Sequence, residues 1–205
     1  MKTDLINILE LIKLGEKLKS EMRHSWLSNG RQESVAEHTW RVSLMAMLME
    51  SYLTQNVDLA RLLKMIIIHD LVEAEAGDIP AFDTMNDPAA KEQKAFNERK
   101  SIERIKDMLG NALGEELYEL WHEYEEKETY EAKVANALDK LEAQIQHNEA
   151  DISTWLEIEH RMSFLMDKHV EFDDALQVFK DLIEDEADLK LKEAGIDTEK
   201  LKIRG

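Results

Sequence analysis

Cysteine is absent from this chain of 205 residues, and proline and glycine are scarce, with 2 and 7 copies. The lack of cysteine excludes disulfides and thiolate metal ligands, and it leaves the redox compartment open. So little proline and glycine leaves few turn or strand signals and favours helices. We therefore expect an all-α fold, and the 43% apolar content suits one compact domain over residues 1–205.

Positively charged residues and long apolar runs are also few. Lys and Arg number 26 against 44 Asp and Glu, which gives a net charge of −18. That sign disfavours nucleic acid polymers and anionic membranes as partners. No run of about 18 apolar residues occurs, and the N-terminus becomes charged too early for a secretory signal. We therefore expect a cytoplasmic protein without a membrane partner.

The spacing of apolar residues, with cap and turn signals, predicts a series of helices. They span residues 3–19, 34–54, 58–76, 89–109, 113–127, 129–149, 153–167 and 171–193. Ser34 and Glu37 have the spacing of a capping box at the start of the second helix, and Gly77 suits the end of the third.

Two segments interrupt this helical pattern. Residues 23–33, around the turn signal Asn29-Gly30, predict a loop rich in functional side chains. Residues 77–88 contain both prolines and form the longest irregular segment, a candidate lid or substrate loop.

The most informative local feature is His69-Asp70, which ends the apolar stretch 62–68. An imidazole and a carboxylate in a hydrophobic core cost several kcal/mol each unless they are compensated, and a bound cation compensates both. Glu73 lies four residues after His69 and three after Asp70, so all three side chains can face one cavity.

Further metal ligands are available on other helices. His38 lies in the first turn of the preceding helix, and Asp139 lies on an apolar helical stripe. Together with His69 and Asp70 they supply two imidazoles and two carboxylates, which suit a divalent transition metal. The ligand types leave the choice among Co, Mn, Fe, Ni, Zn and Mg open.

A phosphate ester is the substrate class that these residues favour. A divalent ion lowers the pKa of its water and neutralises phosphoryl charge, and Glu73 could accept the water proton. Asp78 either orients that water or protonates the leaving oxygen, although it could instead only terminate the helix. In an acidic protein the phosphate needs cations, and Arg23, His24 and Arg31 lie in the loop before the His38 helix.

Arg31 and Lys140 have competing explanations. Arg31 could equally form a structural ion pair with Glu33 or Glu37. Lys140 is a further candidate phosphate ligand, although a lysine on a helix is more often solvated.

The order His38, His69-Asp70 and Asp139 resembles the H…HD…D signature of HD-domain metal-dependent phosphohydrolases. Residues 31–38, RQESVAEH, and 69–80, HDLVEAEAGDIP, are similar to the bacterial 5′-deoxynucleotidase branch and its eukaryotic relatives. The resemblance covers about residues 5–165, and about residues 166–205 form a helical extension outside it.

This resemblance implies an HD-domain helical bundle in which His38, His69, Asp70 and Asp139 hold one divalent ion. It also implies that Glu73 handles the proton of the attacking water, that Asp78 lies near the scissile phosphate or sugar, and that Arg23 contacts the phosphate. The family is usually dimeric and cytoplasmic and acts on deoxynucleoside 5′-monophosphates, so a nucleotide substrate and a homodimer are expected. His24 stands where these enzymes place a tryptophan that contacts the sugar, which leaves selection between deoxyribose and ribose open.

Two alternatives remain. One is an HD phosphohydrolase that acts on another small phosphate ester, a cyclic nucleotide or a polyphosphorylated nucleotide. The other is a noncatalytic helical protein that holds a structural metal or senses a nucleotide. Glu73 and Asp78 favour an enzyme, because a purely structural ion needs neither carboxylate.

Overall fold

The computed structural model describes residues 1–80, 82, 84 and 87–202, and its regular structure is almost entirely helical, which confirms the all-α class. The α-helices are α1 (Lys2–Gly15), α2 (Val35–Met49), α3 (Leu59–Leu71), α4 (Glu73–Ala76), α5 (Pro88–Leu109), α6 (Ala112–Glu126), α7 (Tyr130–Glu149), α8 (Glu157–Met162), α9 (Asp167–Val170) and α10 (Asp174–Glu193). Short 3₁₀ turns lie at Glu16–Lys19, Glu50–Tyr52, Ile152–Thr154 and Thr198–Lys200. Within the described ranges, no helix is long and apolar enough to cross a membrane.

Helix α3 lies at the centre of the bundle and packs against α2, α6 and α7. Its apolar residues Leu62, Met65 and Ile66 are fully buried, and burying each such side chain stabilises the fold by about 1.5–3 kcal/mol. The same inward face continues into His69 and Asp70 at the end of the helix. The core therefore fixes the position of these two polar residues.

The predicted loop over residues 23–33 is in fact a short antiparallel hairpin, which corrects the sequence-based expectation. Its strands are β1 (Met22–Trp26) and β2 (Gln32–Ser34), joined through the predicted Asn29-Gly30 turn, where Gly30 has a φ of 84°. The strands escaped detection because their inward side chains are polar, so the sequence lacks the apolar alternation typical of a strand.

The predicted helix over residues 58–76 divides into α3 and α4, and Gly77 follows with a φ of 79°, a value that favours glycine. The continuous helix predicted over residues 153–167 is wrong. Trp155 and Leu156 are extended, and the buried Trp155 indole donates a hydrogen bond to the His147 carbonyl at 3.0 Å. Anchoring this side chain separates the turn at Ile152–Thr154 from α8.

The C-terminal helix α10 packs against α7, and its Leu176 and Ile183 belong to the main hydrophobic core. A smaller cluster joins Leu191 of α10 to Trp155 and Phe164. The helical extension is therefore integrated with the bundle. Of the candidate lid at 77–88, residues 81, 83, 85 and 86 lie outside the described part of the chain.

The predicted capping box is present at the start of α2. Ser34 Oγ accepts a hydrogen bond from the Glu37 backbone N–H, and Glu37 Oε2 accepts one from the Ser34 N–H at 2.9 Å. We expect Ser34→Ala to lower the free energy of unfolding by about 1 kcal/mol, because an N–H at the helix start loses its acceptor. Urea denaturation measures the effect, with the exposed Ser51→Ala as control; equal stability of both variants would contradict it.

Candidate metal centre

Four side chains from three helices converge beneath the hairpin: His38 of α2, His69 and Asp70 of α3, and Asp139 of α7. Ligand atoms of His38, His69 and Asp139 all lie within 4.8 Å of one another. Asp70 joins them, with Oδ1 at 3.0 Å from His69 Nε2 and Oδ2 at 3.9 Å from His38 Nε2. All four residues are buried.

The two imidazoles are oriented in the same way. His69 Nδ1 lies 2.6 Å from the Ile66 carbonyl, which can only accept, so Nδ1 carries the proton and Nε2 keeps its lone pair. His38 directs Nδ1 to Glu142 and Nε2 to Asp139 Oδ1, at 2.9 Å. Both Nε2 atoms therefore face the cluster, which is the arrangement that histidine metal ligands adopt.

The two aspartates are held by hydrogen bonds to their outer oxygens. Thr39 donates to Asp70 Oδ2 at 2.6 Å. Asp139 Oδ2 accepts from Lys140 Nζ at 2.8 Å and from the Tyr124 hydroxyl at 3.3 Å. The Oδ1 atom of each aspartate is thereby directed to the imidazoles.

The electrostatics of the cluster favour a positive charge at its centre. Burial and Arg23 oppose protonation of His38, but Glu142 and Asp139 outweigh them and raise its pKa to about 10. Burial acts to raise the pKa of Asp139, yet Lys140 and His38 hold it well below its ordinary value. Two imidazole nitrogens and two ionised carboxylates form a donor set that fits a divalent cation, which would replace the bound protons.

Two further carboxylates lie beside these ligands. Burial, Asp70 and Asp78 raise the pKa of Glu73 well above its ordinary value, and its buried Oε2 has no hydrogen-bond partner among the described residues. Burial also raises the pKa of Asp78, against the opposing effects of Arg23 and Lys94. The Asp78 backbone N–H donates to Glu21 Oε1 at 3.1 Å, which anchors the chain just after Gly77.

Arg23 supplies positive charge from strand β1. Its side chain is only 14% exposed, and its Nε lies 3.4 Å from Oε2 of the buried Glu33 on β2. Burial lowers the Arg23 pKa, but Glu142, Asp139, Asp78 and Asp70 outweigh it, so the guanidinium stays charged. Arg23 is therefore a cation held next to the carboxylates rather than at the surface.

The other predicted phosphate ligands lie in different surroundings. His24 packs edge-on against Trp26 and Phe82, with ring centroids 4.7 and 5.0 Å away, and its Nε2 lies 3.5 Å from Glu159 Oε1. Arg31 is half exposed and pairs with Glu37, Nη2 to Oε1, at 2.6 Å. Arg31 therefore forms the ion pair with Glu37 that was the alternative to phosphate binding.

Lys140 binds Asp139 and is 43% exposed, so it supports a metal ligand from the solvent side. Sequence reasoning missed several other residues at the site. Glu142 follows Asp139 by one helical turn, a spacing that was visible in the sequence. Glu33 and Lys94 gave no such signal, because only the hairpin and the packing of α5 bring them to the site.

A second group of buried side chains, Glu33, His38 and Glu142, also has the composition of a metal site. It is already neutralised by arginines, since Arg23 lies at Glu33 and Arg41 Nε donates to Glu142 Oε1 at 2.6 Å. A cation therefore fits better on the Nε2 side of His38, because no guanidinium of the described residues pairs with Asp70 or Asp139.

The Arg31 ion pair predicts a change of stability with pH. Its hydrogen bond to Glu37, with those from Ser34, lowers the Glu37 pKa to about 2. Because the pKa is lowered in the folded state, the stabilisation is present above the ordinary value of 4.5 and is lost as the pH falls toward 2. We expect Arg31→Gln to be less stable than wild type at neutral pH, with the difference shrinking in urea titrations toward about pH 3. A difference that is independent of pH would contradict this.

Comparison with known proteins agrees with this geometry. Residues 15–179 match the HD domain family. The chain is 33% identical to the 5′-deoxynucleotidase HDDC2 of Dictyostelium discoideum over 68% of this chain and 75% of that protein. It is 31% identical to the human 5′-deoxynucleotidase HDDC2 over 78% of this chain and 74% of that protein.

A solved structure is similar over almost its whole length. The predicted metal-dependent phosphohydrolase from Magnetospirillum magnetotacticum is 31% identical with a TM-score of 0.77, over 92% of this chain and 97% of that one. The family match reaches residue 179 and so includes part of the helical extension. The chain belongs to the HD-domain family of metal-dependent phosphohydrolases and is a relative of its 5′-deoxynucleotidases.

Proposed function

We propose that this protein is a phosphoric monoester hydrolase that releases phosphate from nucleoside 5′-monophosphates, with deoxyribonucleotides as its substrates. The observation that carries the proposal is the cluster of His38, His69, Asp70 and Asp139 with two charged groups near it. One is Glu73, whose buried Oε2 has no hydrogen-bond partner among the described residues, and the other is the largely buried guanidinium of Arg23. The printed activity of the HDDC2 relatives supports the nucleotide class.

One divalent ion is proposed at His38, His69, Asp70 and Asp139. When bound, it supplies an acidified water as nucleophile and polarises the phosphoryl group. Lys140, Tyr124 and Thr39 keep the carboxylates oriented toward it. Activity after reloading with each metal identifies the ion among Co, Mn, Fe, Ni, Zn and Mg.

Glu73 is proposed as the residue that accepts the proton of the attacking water. A carboxylate with an ordinary pKa is a weak base at neutral pH, and burial beside Asp70 and Asp78 raises the pKa of Glu73, which makes it a stronger base. The same raised pKa lets Glu73 hold the proton until it is passed on. Asp78, whose pKa is also raised, either orients the water or donates a proton to the leaving 5′-oxygen.

Arg23 is proposed to bind the phosphate, with a fork geometry that suits two phosphoryl oxygens. Glu33 Oε2 lies 3.4 Å from Nε of this guanidinium and helps to hold it in place. Lys94, whose Nζ donates to the Ile79 carbonyl at 3.0 Å, adds positive charge near Asp78. These cations offset the repulsion between an acidic protein and an anionic substrate.

Phosphate release by purified protein tests the proposed function. The protein is stripped of metal, reloaded in turn with Co, Mn, Fe, Ni, Zn or Mg, and assayed against deoxyribo- and ribonucleoside 5′-monophosphates and against cyclic and polyphosphorylated nucleotides. We expect release that requires the metal, favours the deoxyribonucleotides and is lost in Glu73→Ala. Release only from cyclic or polyphosphorylated nucleotides would overturn the substrate class, and metal binding without any hydrolysis would overturn the enzyme.

A homodimer in the cytoplasm is also proposed. The solvent face of α2 carries Trp40, Leu44, Met47 and Leu48, which are 37–66% exposed in a chain of net charge −18. The sequence from Trp40 to Met49 contains a single charged residue, Arg41, and this arginine pairs with Glu142 and Glu149. Two copies repel each other least across such a face, and an isologous contact buries both stripes at once.

The dimer proposal predicts an effect of one added charge. We expect Met47→Glu to convert the dimer to a monomer in analytical ultracentrifugation, because the two introduced carboxylates would meet in the interface. Val178→Glu on α10, at a similar exposure of 62%, is the matched control and should remain dimeric. A wild-type monomer at micromolar concentration would contradict the proposal.

A further inference from the structure

A buried ionic pair lies next to the metal site without contacting the space where substrate would bind. Glu142 on α7 has no solvent exposure, and its Oε2 contacts Nδ1 of His38. Its other oxygen, Oε1, accepts a hydrogen bond from Arg41 Nε at 2.6 Å. The proposed mechanism gives neither residue a part.

We propose that Glu142, held by Arg41, is a positioning residue that fixes the tautomer and ring orientation of His38 for metal binding. The inference rests on the proposed ligand set and extends it to residues outside that set. Glu142 is placed outside the proposed ligand set, and its effect on metal binding is exerted through His38, which it contacts at Nδ1.

The physical reason lies in the two nitrogens of an imidazole ring. A neutral histidine carries one proton, and only the other nitrogen can bind a metal. A carboxylate at Nδ1 accepts a hydrogen bond from the N–H there, so the proton stays on Nδ1 and the lone pair is left on Nε2, which faces Asp139 at 2.9 Å. The opposite tautomer would direct the Nε2 proton at the cation and leave the Nδ1 lone pair against a carboxylate, which is costly between two fully buried side chains.

Arg41 explains how a carboxylate is tolerated at this depth. An isolated buried charge costs several kcal/mol, and the guanidinium beside Glu142 compensates it. The remaining nitrogens of Arg41 donate to Glu149 Oε2 and Gln146 Oε1, at 2.6 and 2.5 Å. Arg41 is thus fixed at three points along α7, and Glu142 is fixed with it.

The same network reaches the strand that carries Arg23. Gln146 Nε2 donates to the Trp26 carbonyl of β1 at 2.6 Å. The orientation of the metal ligand and the placement of the phosphate-binding strand therefore depend on one set of hydrogen bonds between α2, α7 and β1.

Metal affinity tests the inference directly. In Glu142→Gln the side chain keeps its size, but its amide NH₂ group must face either the His38 N–H or Arg41, and neither can accept a hydrogen bond. We expect Co²⁺ to bind this variant about 10- to 100-fold more weakly than wild type in calorimetric titration. Glu149→Gln is the matched control, because Glu149 binds the same arginine without contacting His38, and its Co²⁺ affinity should be unchanged.

A second measurement uses the wild-type protein and does not depend on the folding of any variant. Long-range ¹H–¹⁵N spectra of the Zn²⁺-loaded protein report which imidazole nitrogen is protonated, with the His38 ring assigned through bonds from its own backbone. We expect the proton on Nδ1 of His38. A proton on Nε2, or equal Co²⁺ affinity of wild type and Glu142→Gln, would overturn the inference.

The two proposals fail in different ways. If wild type binds metal and releases phosphate while Glu142→Gln binds Co²⁺ equally well, the positioning inference is wrong and the proposed function stands. If wild type binds the metal through Nε2 of His38 but hydrolyses no nucleotide, the proposed function is wrong and the positioning inference stands.

Discussion

Replacing Glu73 by glutamine is expected to lower kcat for phosphate release about 10²–10⁴-fold, the range typical for loss of a general base. Glutamine keeps the volume of the side chain but accepts no proton. The wild-type carboxylate is suited to this step because its Oε2 is buried without a partner among the described residues and its pKa is raised well above normal. Steady-state assays with the metal-reloaded protein measure the effect.

The matched control for this variant is Glu75→Gln on the same short helix, where Glu75 pairs with Arg104 at 3.2 Å. We expect its kcat to stay within about threefold of wild type, because the partner of Glu75 is the exposed Arg104 and Glu75 is not among the residues proposed to act on the substrate. Metal content is measured for both variants, since Glu73 is proposed to lie outside the ligand set. A Glu73→Gln enzyme with full metal content and wild-type kcat would remove Glu73 from the chemistry.

Replacing Arg23 by methionine is expected to lower kcat/KM about 10²–10³-fold, comparable to the loss of one preorganised donor to a developing oxyanion. Arg23 is the largely buried cation of the hairpin, and its Nε lies 3.4 Å from Glu33 Oε2. Its removal would leave several carboxylates near the phosphate without this compensating charge. Initial rates over a range of deoxynucleotide concentrations separate the effects on KM and kcat.

A lysine at position 23 distinguishes charge from geometry. Arg23→Lys keeps the positive charge but loses the fork of donors, so we expect it to recover part of the kcat/KM that Arg23→Met loses. The thermal unfolding of both variants is measured as well, because Arg23 also stabilises the buried carboxyl group of Glu33. Burial and Glu142 raise the pKa of Glu33 to about 7 even with Arg23 beside it. Well-folded variants with wild-type kcat/KM would place the phosphate elsewhere.

The clustering of His38, His69, Asp70 and Asp139 could be predicted from sequence because each lies on the buried face of a helix. His69 and Asp70 follow a run of buried residues, so helical periodicity alone directs them inward. Asp139 has the same surroundings on α7. Helical periodicity predicts which side chains are directed into the bundle, and the packing of the helices then brings these side chains together.

The contact of Glu142 and the hairpin could not be predicted from helical periodicity. The side chain of Glu142 is also directed inward, but its partner on α2 is about one hundred residues away, and only packing of α2 against α7 reveals it. Strands β1 and β2 face a polar site, so they lack an apolar pattern to predict them. The break at Trp155 depends on a hydrogen bond to His147, which no local propensity encodes.

Anomalous diffraction from crystals grown with Co²⁺ tests the ligand set most directly. We expect one strong cobalt peak per chain, bonded to Nε2 of His38, Nε2 of His69 and one oxygen each of Asp70 and Asp139. A cobalt peak bonded instead to Glu33 and Glu142 on the Nδ1 side of His38, or no peak near these helices, would contradict the metal centre and the chemistry proposed for it.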